Sequence, residues 1–159
     1  MRLAPQEIRT FFTTAVTANR RRLFQSEQNA ELLLRTLQEN RQKGRFQLHA
    51  YIVMPDHIHL LLTPAEKVSI EKAMQFIKGG FSFKLKSAYD VWERSFKEHR
   101  IKNKQDYEHH KTYIEQNPVR ANLSLIPEQF LHSSISNQQL DPIPAHFQIS
   151  LRTARESFK

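Results

Sequence analysis

The stretch YIVMPDHIHLLL, residues 51–62, decides how this chain is read. It holds two strand-like apolar runs broken at Pro55-Asp56, the composition of a turn between adjacent strands. On a strand, residues i and i+2 share a face. His57 and His59 therefore point together, while Ile58, Leu60 and Leu62 point to the opposite, core-facing side. Two neighbouring imidazoles are half of a metal site or a hydrogen-bonded structural pair, and the pair alone does not choose between them.

Working outward, RFQLHAYIVM (45–54) places Phe46, Leu48, Ala50 and Ile52 on one face of the preceding strand. Further upstream, a run of Phe, Thr and Val over residues 10–17 predicts a first strand leading into a basic loop at Arg20, Arg21 and Arg22. Ala30, Leu33, Leu34 and Leu37 then recur at helical spacing, with Ser26 as N-cap and Gly44 at the stop. Downstream, Ser69 caps a second helix through Ile70, Ala73, Met74 and Ile77, expected to stop at Gly79-Gly80. VWERSFKEHRI (91–101) alternates like a strand. A last helix follows, with Asp106 as its cap, His110, Tyr113, Ile114 and Asn117 at helical spacing, and Pro118 as terminator.

The order β-α-β-β-α-β-α predicts an α+β, ferredoxin-like split βαβ antiparallel sheet with helices packed on one face and the other face partly open. Its 159 residues are the size of one domain, assigned to 1–134, with 135–159 a C-terminal tail of uncertain order. The 24 Lys and Arg against 16 Asp and Glu give a net charge of +8, which favours a polyanionic partner, nucleic acid first. The chain has no cysteine, which excludes disulfides and thiol chemistry. No apolar run reaches the roughly 20 residues of a membrane span, and the N-terminal residues lack the apolar core of a secretory signal. The expected location is cytoplasmic.

Tyr113 and Asn117 stand at i and i+4, one turn apart on the same helical face. If that helix packs on the histidine face, two imidazoles and an amide oxygen make an open, neutral N/N/O set suited to Mg²⁺ or Mn²⁺. The alternative is a Tyr113 packed in the core and an Asn117 that merely ends a helix, and spacing leaves both open.

LHAYIVMPDHIHLLL, VWERSFKEHRI and YIEQNPVRANL together resemble the single-tyrosine HUH transposases, most closely the REP-associated tyrosine transposases of bacteria. The similarity runs from about residue 10 to about residue 134. It implies His57 and His59 as metal ligands, Asn117 as the third ligand and Tyr113 as the nucleophile. Asn122 stands where the family commonly has glycine, and Glu93 where it frequently has glutamine. The activity implied is a metal-dependent single-stranded DNA endonuclease and strand transferase. Tyrosine attack on phosphorus leaves a 5′-phosphotyrosine and a free 3′-OH, and a second 3′-OH later displaces the tyrosine. The implied substrate is single-stranded or hairpin DNA of REP type, acted on by a monomer or a homodimer.

Arg20, Arg21, Arg22, Lys84, Lys86, Arg94, Arg100, Lys102 and Lys104 are the candidate phosphate contacts, with Phe81, Phe83 and Trp92 available for base stacking. Tyr107 is the rival nucleophile, with Lys111 rather than an amide one turn on. Two other functions compete. A basic ferredoxin-like binding module without catalysis requires exposed aromatics on the central strands, and a metal hydrolase unrelated to DNA requires a carboxylate ligand such as Asp56.

Overall fold

The computed structural model describes residues 8–136 and 139–148. Four strands, β1 (Phe11–Val16), β2 (Phe46–Met54), β3 (His57–Pro64) and β4 (Lys97–Arg100), pair antiparallel in the order β2-β3-β1-β4. Three helices, α1 (Glu27–Gln42), α2 (Ile70–Leu85) and α3 (Lys104–Arg120), complete the β-α-β-β-α-β-α order that the sequence predicts. The match is to the split βαβ arrangement.

One face of the sheet is closed by α1 and α2. Ala15, Ile58, Leu60 and Leu62 pack there against Leu33, Leu37, Met74 and Ile77, all buried. Ser26 caps α1 by accepting from the Asn29 amide, and Ser69 caps α2 by accepting from Lys72 N, each satisfying a first-turn donor. The third helix crosses the opposite face over β2 and β3, with Tyr107 and Ile114 packed on Ala50, Ile52, Met54 and Leu61. Next to it, β1 keeps Phe12, Thr14 and Val16 only half-buried, so this face stays partly open.

Three local expectations are corrected. Phe46, Leu48, Ala50 and Ile52 do not share a face. The ladder shifts between Leu48 and Ala50, with Leu48 opposite Leu62 and Ala50 opposite Leu61. One extra residue, His49, is accommodated, and parity reverses beyond it. Second, α2 does not stop at Gly79-Gly80 but continues to Leu85 and ends on Lys86 in the left-handed conformation, φ 54°. A methyl on Gly80 would lie 3.1 Å from Thr36 Cγ2, so this glycine lets α1 and α2 approach, whereas nothing lies within 4 Å of a methyl on Gly79. Third, α3 is capped by Asn103, whose side chain accepts from the Asp106 amide, and Pro118 lies inside its last turn rather than ending it. So near the C-terminus, proline removes a single intrahelical donor. Asn122 adopts the left-handed φ of 60° just past that end.

Part of the segment assigned to a tail packs on the sheet. Phe147 is buried beside Tyr107. Asp141 accepts from Arg41 Nε at 2.9 Å, Arg41 Nη2 at 3.2 Å and the Leu48 amide at 2.8 Å. Residues 137–138 and 149–159 lie outside the described residues.

Two measurements test these contacts. Gly79→Ala is expected to raise stability in urea by about 0.5–1 kcal/mol through helix propensity. Gly80→Ala should gain less because Thr36, whose hydroxyl donates to Leu32 O, cannot turn its methyl away; equal gains would refute the close-approach role. At Asp141, burial opposes ionisation, but the Arg41 and Leu48 hydrogen bonds and the Arg41 charge outweigh it and lower the pKa. Its stabilisation is therefore full above the unfolded carboxylate pKa of about 3.9 and lost as pH falls through the lower folded value. Asp141→Asn should cost about 1–3 kcal/mol at pH 7 and visibly less in acid, measured by denaturant unfolding across pH.

Candidate active site

The histidine strand sits between β1 and β2, so its backbone is fully paired and its side chains have little freedom to wander. Thr14 lies directly opposite His59 and Val16 opposite His57. The two imidazoles project to the α3 face with ring centroids 4.8 Å apart.

Each ring is held by its Nδ1. At His57, Nδ1 donates to Asp56 Oδ1 at 2.7 Å. Asp56 also accepts from Arg20 Nη1 at 3.3 Å. Burial opposes ionisation of this carboxyl, yet His57 and Arg20 together lower its pKa, so it is an acceptor and fixes the proton of His57 on Nδ1. His59 Nδ1 is paired with Thr14 Oγ1 at 2.8 Å. Burial, with the neighbouring His57 as a secondary cause, lowers the His59 pKa to about 3. That ring is neutral at neutral pH. The tautomer that donates Nδ1–H to the Thr14 hydroxyl leaves the lone pair on Nε2. Among the described residues neither Nε2 has a hydrogen-bond partner.

Over this pair α3 brings Tyr113, whose ring meets His59 edge-on at 5.5 Å. Phe12 completes the cluster by stacking on His59 at 5.3 Å and meeting Tyr113 edge-on at 5.8 Å. The Arg120 guanidinium lies 5.2 Å from the centre of the Tyr113 ring. Asn117 is buried on the same helix, and its side chain makes no hydrogen bond among the described residues. The two imidazoles and the phenol thus gather on one partly open face, with the unpaired Asn117 amide one turn further along the same helix. Their chemistry fits a divalent cation with positions left for substrate oxygens.

The rival tyrosines are placed otherwise. Tyr107 is buried between His49 and Phe147, and burial raises its pKa. Tyr51 is buried in the α1/α2 core, and Tyr89 is exposed beside Arg21. Asp56 stands behind His57 rather than beside it, spent on orienting the ring.

The candidate phosphate contacts divide. Arg20, Arg21 and Arg22 flank the Pro55-Asp56 turn, because Thr17 N donates to Asp56 O and Phe24 N to Pro55 O. Arg21 and Arg94 line one shallow groove with Tyr89 and Trp92. Lys84 is on the opposite side of the sheet, paired with Glu39 Oε2 at 2.5 Å, and Lys86 caps α2. Arg100 pairs with Phe11 in the ladder, at the far end of β1 from Val16 and His57, and Lys102 and Lys104 follow it. Of the aromatics, Phe81 is core, Trp92 donates its indole N–H to Lys78 O and packs on Phe24, and Phe83 is 81% exposed.

Sequence reading missed a second group. His99 of β4 and His110 of α3 converge on Asp106. The Asp-x-x-x-His spacing of 106 and 110 was a signal for it, and only the fold supplies His99.

Comparison with known proteins agrees with this architecture. Residues 11–117 match the family model described as transposase IS200 like. A REP-associated tyrosine transposase of Escherichia coli strain K12 is 30% identical over 112 residues, 70% of this chain and 67% of that protein. A solved structure of a REP-associated tyrosine transposase bound to a REP hairpin superposes with a TM-score of 0.74 at 26% identity, covering 90% of this chain and 88% of the other. The family match spans the strand of His57 and His59 and the helix as far as Asn117, and this chain belongs to the IS200-like transposases.

Proposed function

We propose that this transposase nicks and rejoins single-stranded DNA at hairpins of REP type, with Tyr113 as nucleophile and His57, His59 and Asn117 as the ligands of Mg²⁺ or Mn²⁺. The observation that carries the reading is the pair of imidazoles tied back through Nδ1 by Asp56 and Thr14, with Tyr113 against His59. Rings tethered in that way present Nε2 lone pairs at fixed positions. The related protein bound to a REP hairpin supports hairpin DNA as the substrate class.

His57, His59 and Asn117 would hold the divalent cation, which would supply Lewis-acid polarisation of the scissile phosphodiester. Tyr113 Oη attacks phosphorus in line, the bond from phosphorus to the 3′ oxygen breaks, and the products are a 5′-phosphotyrosine and a 3′-OH. Reversal by another 3′-OH reforms a phosphodiester and frees the phenol, so strand joining needs no nucleotide. Arg120 places a permanent positive charge beside the Tyr113 ring, where the phosphate's negative charge arrives. Arg20, Arg21, Arg22 and Arg94 surround the histidine end of the sheet and suit the flanking DNA backbone. Lys84, committed to Glu39, is the weakest of the proposed DNA contacts. The cytoplasm is the proposed location. No described helix is long and apolar enough to cross a membrane.

The test is covalent trapping on a denaturing gel, with labelled single-stranded hairpin oligonucleotides and Mn²⁺. Wild type and Tyr107→Phe should form the adduct, and Tyr113→Phe and chelator-treated protein should not. An adduct that survives Tyr113→Phe overturns the assignment, and salt-sensitive binding without any adduct favours a binding module. Thr14→Val and Asp56→Ala leave the ligands in place but untether their rings. Each is expected to weaken Mn²⁺ affinity or nicking by about 10–100-fold, read from nicking rate against Mn²⁺ concentration. Unchanged Mn²⁺ dependence in both would show that the tethers do not set ligand geometry.

A further inference from the structure

One turn ahead of Tyr113 on α3, His110 shares a carboxylate with the edge strand. Asp106 Oδ2 accepts from His99 Nε2 at 2.8 Å, His110 Nδ1 donates to the Asp106 main-chain carbonyl at 2.9 Å and stands 3.0 Å from Oδ1, and the two rings stack with centroids 4.6 Å apart. One ligand atom from each residue lies within 4.8 Å of the other two, and all three side chains are half-buried. The carboxylate is anchored independently, because Oδ2 also accepts from the Lys102 amide at 2.9 Å. It therefore stays in place when the imidazoles shift.

We propose that His99, Asp106 and His110 form a second cation site, separate from the His57 and His59 set, that takes a first-row transition ion of the Zn²⁺ type. Two imidazoles and a single carboxylate with a position left open match a known Zn²⁺ ligand set, and the anionic third ligand sets this group apart from the neutral His57, His59 and Asn117 set. Bond lengths of about 2.0–2.2 Å hold tetrahedral ligand atoms about 3.4 Å apart, so the two nitrogen–carboxylate contacts open by about 0.5 Å as the ion replaces the His99 proton and the His110 proton now given to the Asp106 main-chain carbonyl. Partial exposure leaves the ion a way in and positions for water.

The ion would staple β4 to the first turns of α3. Its effect reaches the neighbouring centre through Phe12, whose ring lies 4.8 Å from His110 as well as against His59 and Tyr113. Occupancy therefore steadies the helix and the aromatic wall that position the phenol, without supplying a ligand to the other site.

Calorimetric titration of Zn²⁺ into the full chain carrying His57→Ala and His59→Ala isolates this site. One equivalent should bind, the thermal midpoint should rise, and Mg²⁺ should do neither. Adding His99→Ala should weaken Zn²⁺ binding at least about tenfold. His99 lies on an edge strand with its side chain 38% exposed, so that variant should fold, as circular dichroism without metal would verify. Asp106→Asn is the second variant, expected to lose Zn²⁺ binding likewise. No uptake by the His57→Ala, His59→Ala protein, or uptake that survives both added variants, overturns the proposal. Because none of these readouts uses DNA, their failure leaves the Tyr113 assignment standing.

Discussion

The one-residue bulge at His49 is the constraint on which the active face depends. Before it, Phe46 and Leu48 face α1 and α2. After it, Ala50, Ile52 and Met54 face the other way and join Leu61 under α3. Without the extra residue the far half of β2 would turn this apolar row toward a core that is already filled, and α3 would lose its seat. The bulge is held by polar chemistry: His49 Nε2 pairs with Thr63 Oγ1 at 2.8 Å, Thr63 with Thr10 at 2.7 Å, and Nδ1 with Asp141 O at 3.2 Å. Burial lowers the pKa of His49, despite the Asp141 carbonyl, which keeps it a neutral member of that chain.

Given that seat, α3 is a ruler. Tyr107 and Ile114, seven residues apart, bury into the apolar row, and this sets the rotation of the helix about its axis. His110 and Tyr113 then fall on an adjoining stripe facing Phe12 of β1 and His59, and Asn117 continues that stripe one turn further on. Replacing Ile114 by a polar residue would therefore disturb the site without touching it. Tyr107 is committed to this packing: its phenol is buried, and burial raises its pKa.

How much of this was legible in the sequence follows from the range of the interactions. The histidine parity, the two serine caps and the element order rest on local periodicity, and each is present. The bulge escaped because a period of two cannot reveal one inserted residue when both sides of it are apolar. Gly79-Gly80 and Pro118 misled for a related reason. Both are helix breakers by propensity, but tertiary contact of Gly80 with Thr36 and the late position of Pro118 in α3 decide otherwise. Asp56 was weighed only as a metal ligand. Its service to His57 Nδ1 is a neighbour effect within a turn, which alternation along a strand does not encode. His99 needed the fold itself, since nothing in the sequence pairs β4 with the start of α3.

The two faces of the sheet divide stability from chemistry. Against α1 and α2, large side chains are wholly buried and polar groups are few. Under α3, cover ends near β1, where Phe12, Thr14 and Val16 are half-buried and β4 exposes Lys97 and Arg100 beyond them. A closed face could not admit a phosphodiester, and a fully open one could not desolvate His59. The arrangement found here does both: His59 is 6% exposed and uncharged, while His57 beside it remains accessible. Partial cover leaves the inner ring, His59, uncharged, so it presents no like charge to an arriving cation. Thr14 suits this better than a carboxylate would, since it orients the inner ring without adding a buried negative charge, whose desolvation the site would otherwise have to offset.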